Sequence, residues 1–260
     1  MGADWQRQRK VTSAPFNDNN NILVWTESLR QASEVLQFWK TFTTPVTRTD
    51  VDTRTISLHI LSAAGFGKSY SFDKVGEPAK EGHVFNYRDS LAMILEHNLL
   101  VLILGPKLMG QMAKWTGIFG KWASIGQATV DFKDHMETMV QEEKKAIAAG
   151  HARSATITNA LIRASEDTKG GVEGEVFRGL TEDEIYGNIF VYNFAGHDTT
   201  AALLNWAIYL LAAHPELQDW IAEEINEVIG DDIASVEFRD VFPKLQRCLA
   251  LMVRPVTNKN

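Results

Sequence analysis

Ala195-Gly196-His197-Asp198-Thr199-Thr200 sets an acid, two alcohols and a glycine inside an otherwise apolar run, and chemistry could sit there. An acid beside an alcohol offers a short proton path into a dry pocket. A threonine hydroxyl can take a main-chain carbonyl and loosen a helical ladder, and Gly196 removes the bulk that would keep a ligand from the backbone. Local propensity opposes the arrangement. A glycine inside a helix costs about 1 kcal/mol against alanine, and buried polar groups are expensive unless paired. The other reading of the same residues is a kinked, buried helix with solvated polar groups. A second pair is Trp5 and Arg9. At i and i+4 they share a helix face, so an indole N–H and a guanidinium could bind one carboxylate together. Without further context the run WQRQRK reads as a basic, exposed helix start, with Arg7 and Lys10 as solvated charges.

The elements that must position these residues read as helices. Thr181-Glu182-Asp183-Glu184 is a capping box, and the apolar pattern runs from it to Ala213, where His214-Pro215-Glu216 stops it. Pro215 suits the first turn of a following helix through Trp220 to Val228. The first helix is nearly apolar on all sides, which predicts a core element crossing the middle of a domain. Residues 130–147 carry apolar side chains at helical spacing, and residues 50–64 behave similarly. Glycine-containing polar breaks fall at 17–21, 65–82, 150–154 and 167–179. Strand-like alternation is scarce, so the chain is mainly α.

The run AGHDTT in a long helix, followed by HPE and an amphipathic helix, resembles the distal-pocket helix of the haem-thiolate monooxygenases, the cytochromes P-450, of fungal type. Further residues carry the same resemblance. Trp5 and Arg9 stand like the family's haem-propionate pair; residues 52–72, with AGFGKS, resemble the helix and turn before the substrate-access region; and Phe242-Pro243-Lys244-Leu245 resembles the approach to the ExxR helix. The resemblance implies haem as cofactor, electrons from NADPH through a flavoprotein reductase, and insertion of one oxygen atom from O2 into an apolar small molecule. It gives Asp198, Thr199 and Thr200 to proton delivery, Ala195 and Gly196 to the oxygen-binding groove, and Trp5 and Arg9 to a haem propionate. His197 falls at the family's variable position, with no ligand role. Substrate choice would rest in part on residues 85–119, with 91–104 lining or covering the access route.

Composition agrees in outline. The balance of 26 Lys and Arg against 33 Asp and Glu, a net charge of −7, argues against a nucleic-acid binder, which shows a basic stripe. The single cysteine, Cys248, excludes an internal disulfide framework and a cysteine-rich metal site. No apolar run approaches the roughly 18 residues of a spanning helix, so the chain reads as soluble, with its location open; full-length relatives of the resemblance are anchored in the endoplasmic reticulum.

The departures are as informative. The family's thiolate lies in F-x-x-G-x-R-x-C-x-G, whereas Cys248 has Lys244 where the glycine belongs, Gln246 where the arginine belongs and Ala250 where the second glycine belongs. It reads as an ordinary helix-face cysteine, so no residue here is assigned as a metal ligand. The ExxR helix is not found either: resemblance stops at Val253, and Pro255 would break a helix there. The expectation is therefore the interior helical part of the P-450 fold, from the propionate helix through the long distal-pocket helix and the next one. It lacks the N-terminal sheet region and the C-terminal thiolate loop, and is cut at both ends. Residues 1–252 form the partial domain and 253–260 a divergent tail, inactive in this form. Two other classes stand beside it. One is a non-catalytic helical module that binds a partner or a hydrophobic ligand. The other is nucleotide binding at residues 62–69, SAAGFGKS, which resembles a phosphate-binding loop without its first glycine and with no helix after it.

Overall fold

The computed structural model describes residues 2–72, 78–114, 120–150, 156–167, 179–230 and 236–253. Of the expected tail at 253–260, residues 254–260 with the Pro255 break lie outside these, as do most of the breaks at 150–154 and 167–179. Among the described residues there are helices and no strand. In order they are α1 (Ala3–Thr12), α2 (Asp18–Lys40), α3 (Thr49–Phe66), α4 (Tyr87–Glu96), α5 (Asn98–Met112), α6 (Gly120–Ala148), α7 (Ile157–Asp167), α8 (Glu182–Ala213), α9 (Pro215–Val228), α10 (Phe238–Val241) and α11 (Gln246–Val253).

Local chemistry sets the limits. Thr181 caps α8 through its hydroxyl, which accepts from the Glu184 N–H at 3.2 Å, while the Thr181 N–H donates to the Glu184 carboxylate at 2.9 Å. Both halves of the capping box are therefore present, as the sequence predicts. Pro215 opens α9. Gly67 closes α3 in the left-handed region at φ 67°, where glycine carries no Cβ penalty. That decides against a phosphate loop. Residues 56–61 are helix rather than strand, and the first glycine of AGFGKS is still inside α3.

Two packed groups hold the site. In one, α3 lies along α8 in antiparallel sense, with α2 on its other side. Thr49 near the start of α3 donates to the Tyr209 hydroxyl at 3.2 Å, and Ser57 in the middle donates to the His197 carbonyl at 2.9 Å. In the other, α4 and α5 pack on α6 around Leu91, Ile94, Leu95, Met109, Phe132 and Val140, all almost fully buried. The α5–α6 crossing is close because Gly126 of α6 meets the α5 backbone directly.

The expected core element α8 is packed on one side among the described residues. Ile185, Ile189, Asn193, His197 and Ala201 form a buried stripe at four-residue spacing. The opposite side is open among the described residues: Val191, Phe194, Leu203, Trp206 and Tyr209 are exposed, Trp206 to 70%. Arg7 is corrected, because it is no solvated charge. Its guanidinium donates to the Gly179 carbonyl at 2.6 Å and to both Glu184 oxygens at 3.0 and 2.5 Å, tying α1 to the start of α8.

The Arg7 hydrogen bonds hold the Glu184 carboxyl at about 2, below its ordinary 4.5. A carboxylate with a depressed folded pKa contributes stability above its unfolded value, and that contribution fades as pH falls through the folded one. Glu184→Gln should therefore flatten the loss of stability between about pH 4.5 and 2, and cost about 1 kcal/mol at neutral pH. Denaturant melts across that range check it, and an unchanged acid slope contradicts it.

Candidate functional site

The middle of α8 has two working sides. On the open side stand Ala195 and Thr199, both exposed, one turn apart. The Thr199 hydroxyl donates to the Ala195 carbonyl at 2.5 Å. This is the expected bond to the main chain, but it is made without breaking the helix, which runs uninterrupted from Glu182 to Ala213. The expected distortion is absent because the hydroxyl shares a carbonyl rather than displacing its amide partner. Thr200 is exposed beside them. Gly196 is set back against α3: a Cβ built there would lie 3.5 Å from Leu61 Cδ1, an ordinary contact.

On the other side Asp198 pairs with Arg54 of α3, and His197 is buried beside it. The His197 Nδ1 stands 3.4 Å from Asp198 Oδ1 and has no hydrogen-bond partner among the described residues. Burial lowers the imidazole pKa, against the pull of the Asp198 carboxylate and with the push of the Arg54 charge. These residues line a cavity of about 550 Å³ between α3, α4 and α8. Neither Arg54 nor the burial of His197 is visible in the sequence. They come from the α3–α8 register, which brings together residues 144 positions apart.

Trp5 and Arg9 do share a face of α1: the guanidinium carbon lies 5.3 Å from the centre of the Trp5 ring. Both side chains are exposed, and the Arg9 guanidinium has no carboxylate partner among the described residues. Arg7, on the opposite face, does the docking onto α8, so the Trp5–Arg9 face is turned away from that contact. The structure thus gathers Ala195, Gly196, Asp198, Thr199 and Thr200 on one stretch of α8, and leaves Trp5 and Arg9 as a separate open pair on α1.

An apolar cavity of about 350 Å³ lies where the first half of α8 meets α4, α5 and α6, lined by Ile94, Val101, Phe132, Met136, Tyr186 and Phe190. Of the segment expected at the access route, Leu91 and Leu95 are core, while Leu99 and Ile103 are exposed. Residues 115–119 lie outside the described residues. Cys248 sits on α11, half-buried, with its N–H donating to Glu224 at 3.1 Å. Burial and the Glu224 carboxylate raise its pKa, so it is held as a thiol. Among the described residues no cluster of His, Cys, Asp and Glu could hold a metal ion, and no helix is long and apolar enough to cross a membrane.

The model of the family Cytochrome P450 matches residues 1–249 of this chain. Among its relatives is the phomenoic acid biosynthesis cluster cytochrome P450 monooxygenase of Leptosphaeria maculans, 25% identical over 263 residues, 97% of this chain and 44% of the relative. Cytochrome P450 monooxygenase 124 of Postia placenta is 28% identical, over 96% of this chain and 46% of the relative. The chain therefore spans less than half the length of these curated relatives. Among solved structures, the cytochrome P450DA heme domain superposes with a TM-score of 0.65 at 18% identity, over 94% of this chain and 47% of that one. A structure of a zebra fish cytochrome P450 with progesterone gives 0.63 at 18%, over 97% of this chain and 53% of that one. These likenesses bear on the fold, which is the helical interior of that family.

Proposed function

We propose that this chain, which belongs to the cytochrome P450 family, forms the distal, oxygen- and substrate-facing side of a haem-dependent monooxygenase. The observation that carries the reading is the open side of α8: small Ala195 and exposed Thr199, flanked by apolar Val191, Phe194 and Leu203, on a helix whose other side is packed. Such a face fits a flat apolar cofactor, since it offers close approach at the centre and apolar area around it. The Trp5–Arg9 face fits the cofactor's carboxylates, with an indole N–H and a guanidinium that no described acid occupies.

When bound, haem supplies activation of dioxygen. The residues of this chain do the rest of the distal work. Arg9 and Trp5 hold a propionate. Ala195 keeps the face open, and Gly196, set back against α3, adds no bulk beside it. Thr199 holds a proton at its hydroxyl, already turned along the helix toward the Ala195 carbonyl, with Thr200 supporting it. Asp198 links that alcohol to solvent through the 550 Å³ cavity. The 350 Å³ apolar cavity suits an apolar small-molecule substrate, and electrons would come from NADPH through a flavoprotein reductase. Cys248, a half-buried thiol on α11, does not fit the thiolate role. By itself the chain should hold haem weakly and turn over no substrate.

A haem titration of the chain, read by tryptophan fluorescence, tests this. Arg9→Ala with Trp5→Phe should weaken binding about tenfold, the loss of roughly 1.4 kcal/mol of charge-assisted hydrogen bonding. An unchanged affinity contradicts the propionate assignment. No detectable haem binding would favour the second reading, a non-catalytic module whose exposed α8 face meets a protein or a hydrophobic ligand.

A further inference from the structure

Trp5 and Arg9 can serve one carboxylate only if α1 keeps a fixed rotation about its own axis, and apolar packing does little to fix it. At about 100° per residue, Arg7 and Val11 share one side of α1, with Trp5 and Arg9 on the side opposite. Val11 is buried, whereas Trp5, Gln6, Arg9 and Lys10 are exposed and Arg7 and Gln8 half-buried. A helix of 10 residues with no side-chain cap is marginal by itself. Polar groups hold it instead. The Arg7 guanidinium donates to both Glu184 oxygens at 3.0 and 2.5 Å and to the Gly179 carbonyl at 2.6 Å. Gln8 donates to the same carboxylate at 3.2 Å. Further along α8, the Tyr192 hydroxyl donates to the Thr12 carbonyl at 2.7 Å, a second tie at the other end of α1.

We propose that Arg7 and Glu184 are positioning residues for the cofactor's carboxylates: their paired hydrogen bonds set the rotation of α1 on α8 and so aim the Trp5–Arg9 face outward. A two-pronged guanidinium–carboxylate contact fixes direction as well as distance, which a single buried valine does not. Neither residue touches the carboxylate that Trp5 and Arg9 would hold; each acts through the orientation of α1. The tie also reaches the capping box, because the Glu184 oxygen that takes the second Arg7 bond accepts the Thr181 N–H at 2.9 Å. The rotation of α1 is therefore referred to the first turn of the helix that carries Ala195 and Thr199. This role rests on the reading of Trp5 and Arg9 as a propionate pair.

Haem and its dimethyl ester, in which both carboxylates are masked, separate positioning from packing. Each is titrated into the full chain and followed by visible absorbance, and the ratio of the two affinities reads what the carboxylates contribute. Wild type should prefer haem about tenfold. Arg7→Gln should cut that preference to about threefold or less while the ester binds within about twofold of wild type. Arg7→Lys, which keeps the charge but loses the fork, should fall between them. In an Arg9→Ala background Arg7→Gln should change the ratio no further, because both act on one contact. Glu184→Asp, which keeps the charge and shortens the reach, should lower the preference as well and serves if Arg7→Gln fails to fold. A preference that survives these variants, or a loss shared equally by haem and ester, overturns the positioning role alone. A wild-type chain that binds the two alike, or binds neither, removes the propionate assignment and the positioning role with it.

Discussion

Gly126→Ala should destabilise the chain by about 3 kcal/mol or more, lowering its melting temperature by roughly 6–12 °C. A Cβ at this position would overlap the Met109 carbonyl oxygen of α5 and stand 2.5 Å from the Ala113 nitrogen. Both atoms are backbone at the end of α5, so no rotamer change relieves the overlap. The helices must separate, and the core they share, including Met109, Met112 and Ile125, loses its packing. Gly196→Ala gives the contrast. Its new methyl group would make an ordinary 3.5 Å contact with Leu61, and alanine is the better helix former by about 1 kcal/mol. It should leave stability equal or slightly higher. Thermal melts of the two variants beside wild type decide the matter, and a Gly126→Ala chain that melts with wild type would refute the close crossing.

Ala195→Trp should abolish measurable haem binding while leaving the fold intact. Ala195 is exposed on the open side of α8, so a large ring there has room in the haem-free chain and displaces nothing buried. The same ring would stand between Val191 and Thr199, where the proposed cofactor would approach. A blocked central contact costs both the apolar burial and the alignment with the propionate pair. A loss of at least tenfold in affinity, about 1.4 kcal/mol, is expected. Helical circular dichroism should match wild type.

The limits of α8 were legible because they rest on local chemistry: a capping box at Thr181–Glu184 and a proline at 215. The residues of its centre were legible as a set through their cost, since a structural helix rarely gathers Gly196, Asp198 and two threonines. Which way they point was not legible. The helix is apolar on nearly every side, so no periodicity marks the packed stripe through Ile189, Asn193 and His197 from the open one through Ala195 and Thr199. Arg54 was equally hidden. Its pairing with Asp198 depends on the antiparallel register of α3 on α8, which is fixed by tertiary contacts such as Ser57 with the His197 carbonyl. The role of Arg7 was hidden for the same reason. In sequence it is one of several charges in WQRQRK, and only the arrival of Glu184 beside α1 makes it an anchor. Trp5 and Arg9 kept the placement that i, i+4 spacing implies, because that relation is internal to one helix.

The central claim is that this chain presents a haem-facing distal side with no thiolate of its own. Visible spectra of the haem-loaded chain, oxidised and then reduced under CO, beside the Ala195→Trp variant, test it most directly. The account predicts weak binding that Ala195→Trp removes, and a reduced CO spectrum without the thiolate-type band. A thiolate-type band would place Cys248 or another arrangement at the iron, and full binding by Ala195→Trp would show that haem sits elsewhere than on the open side of α8. Either result would contradict the account.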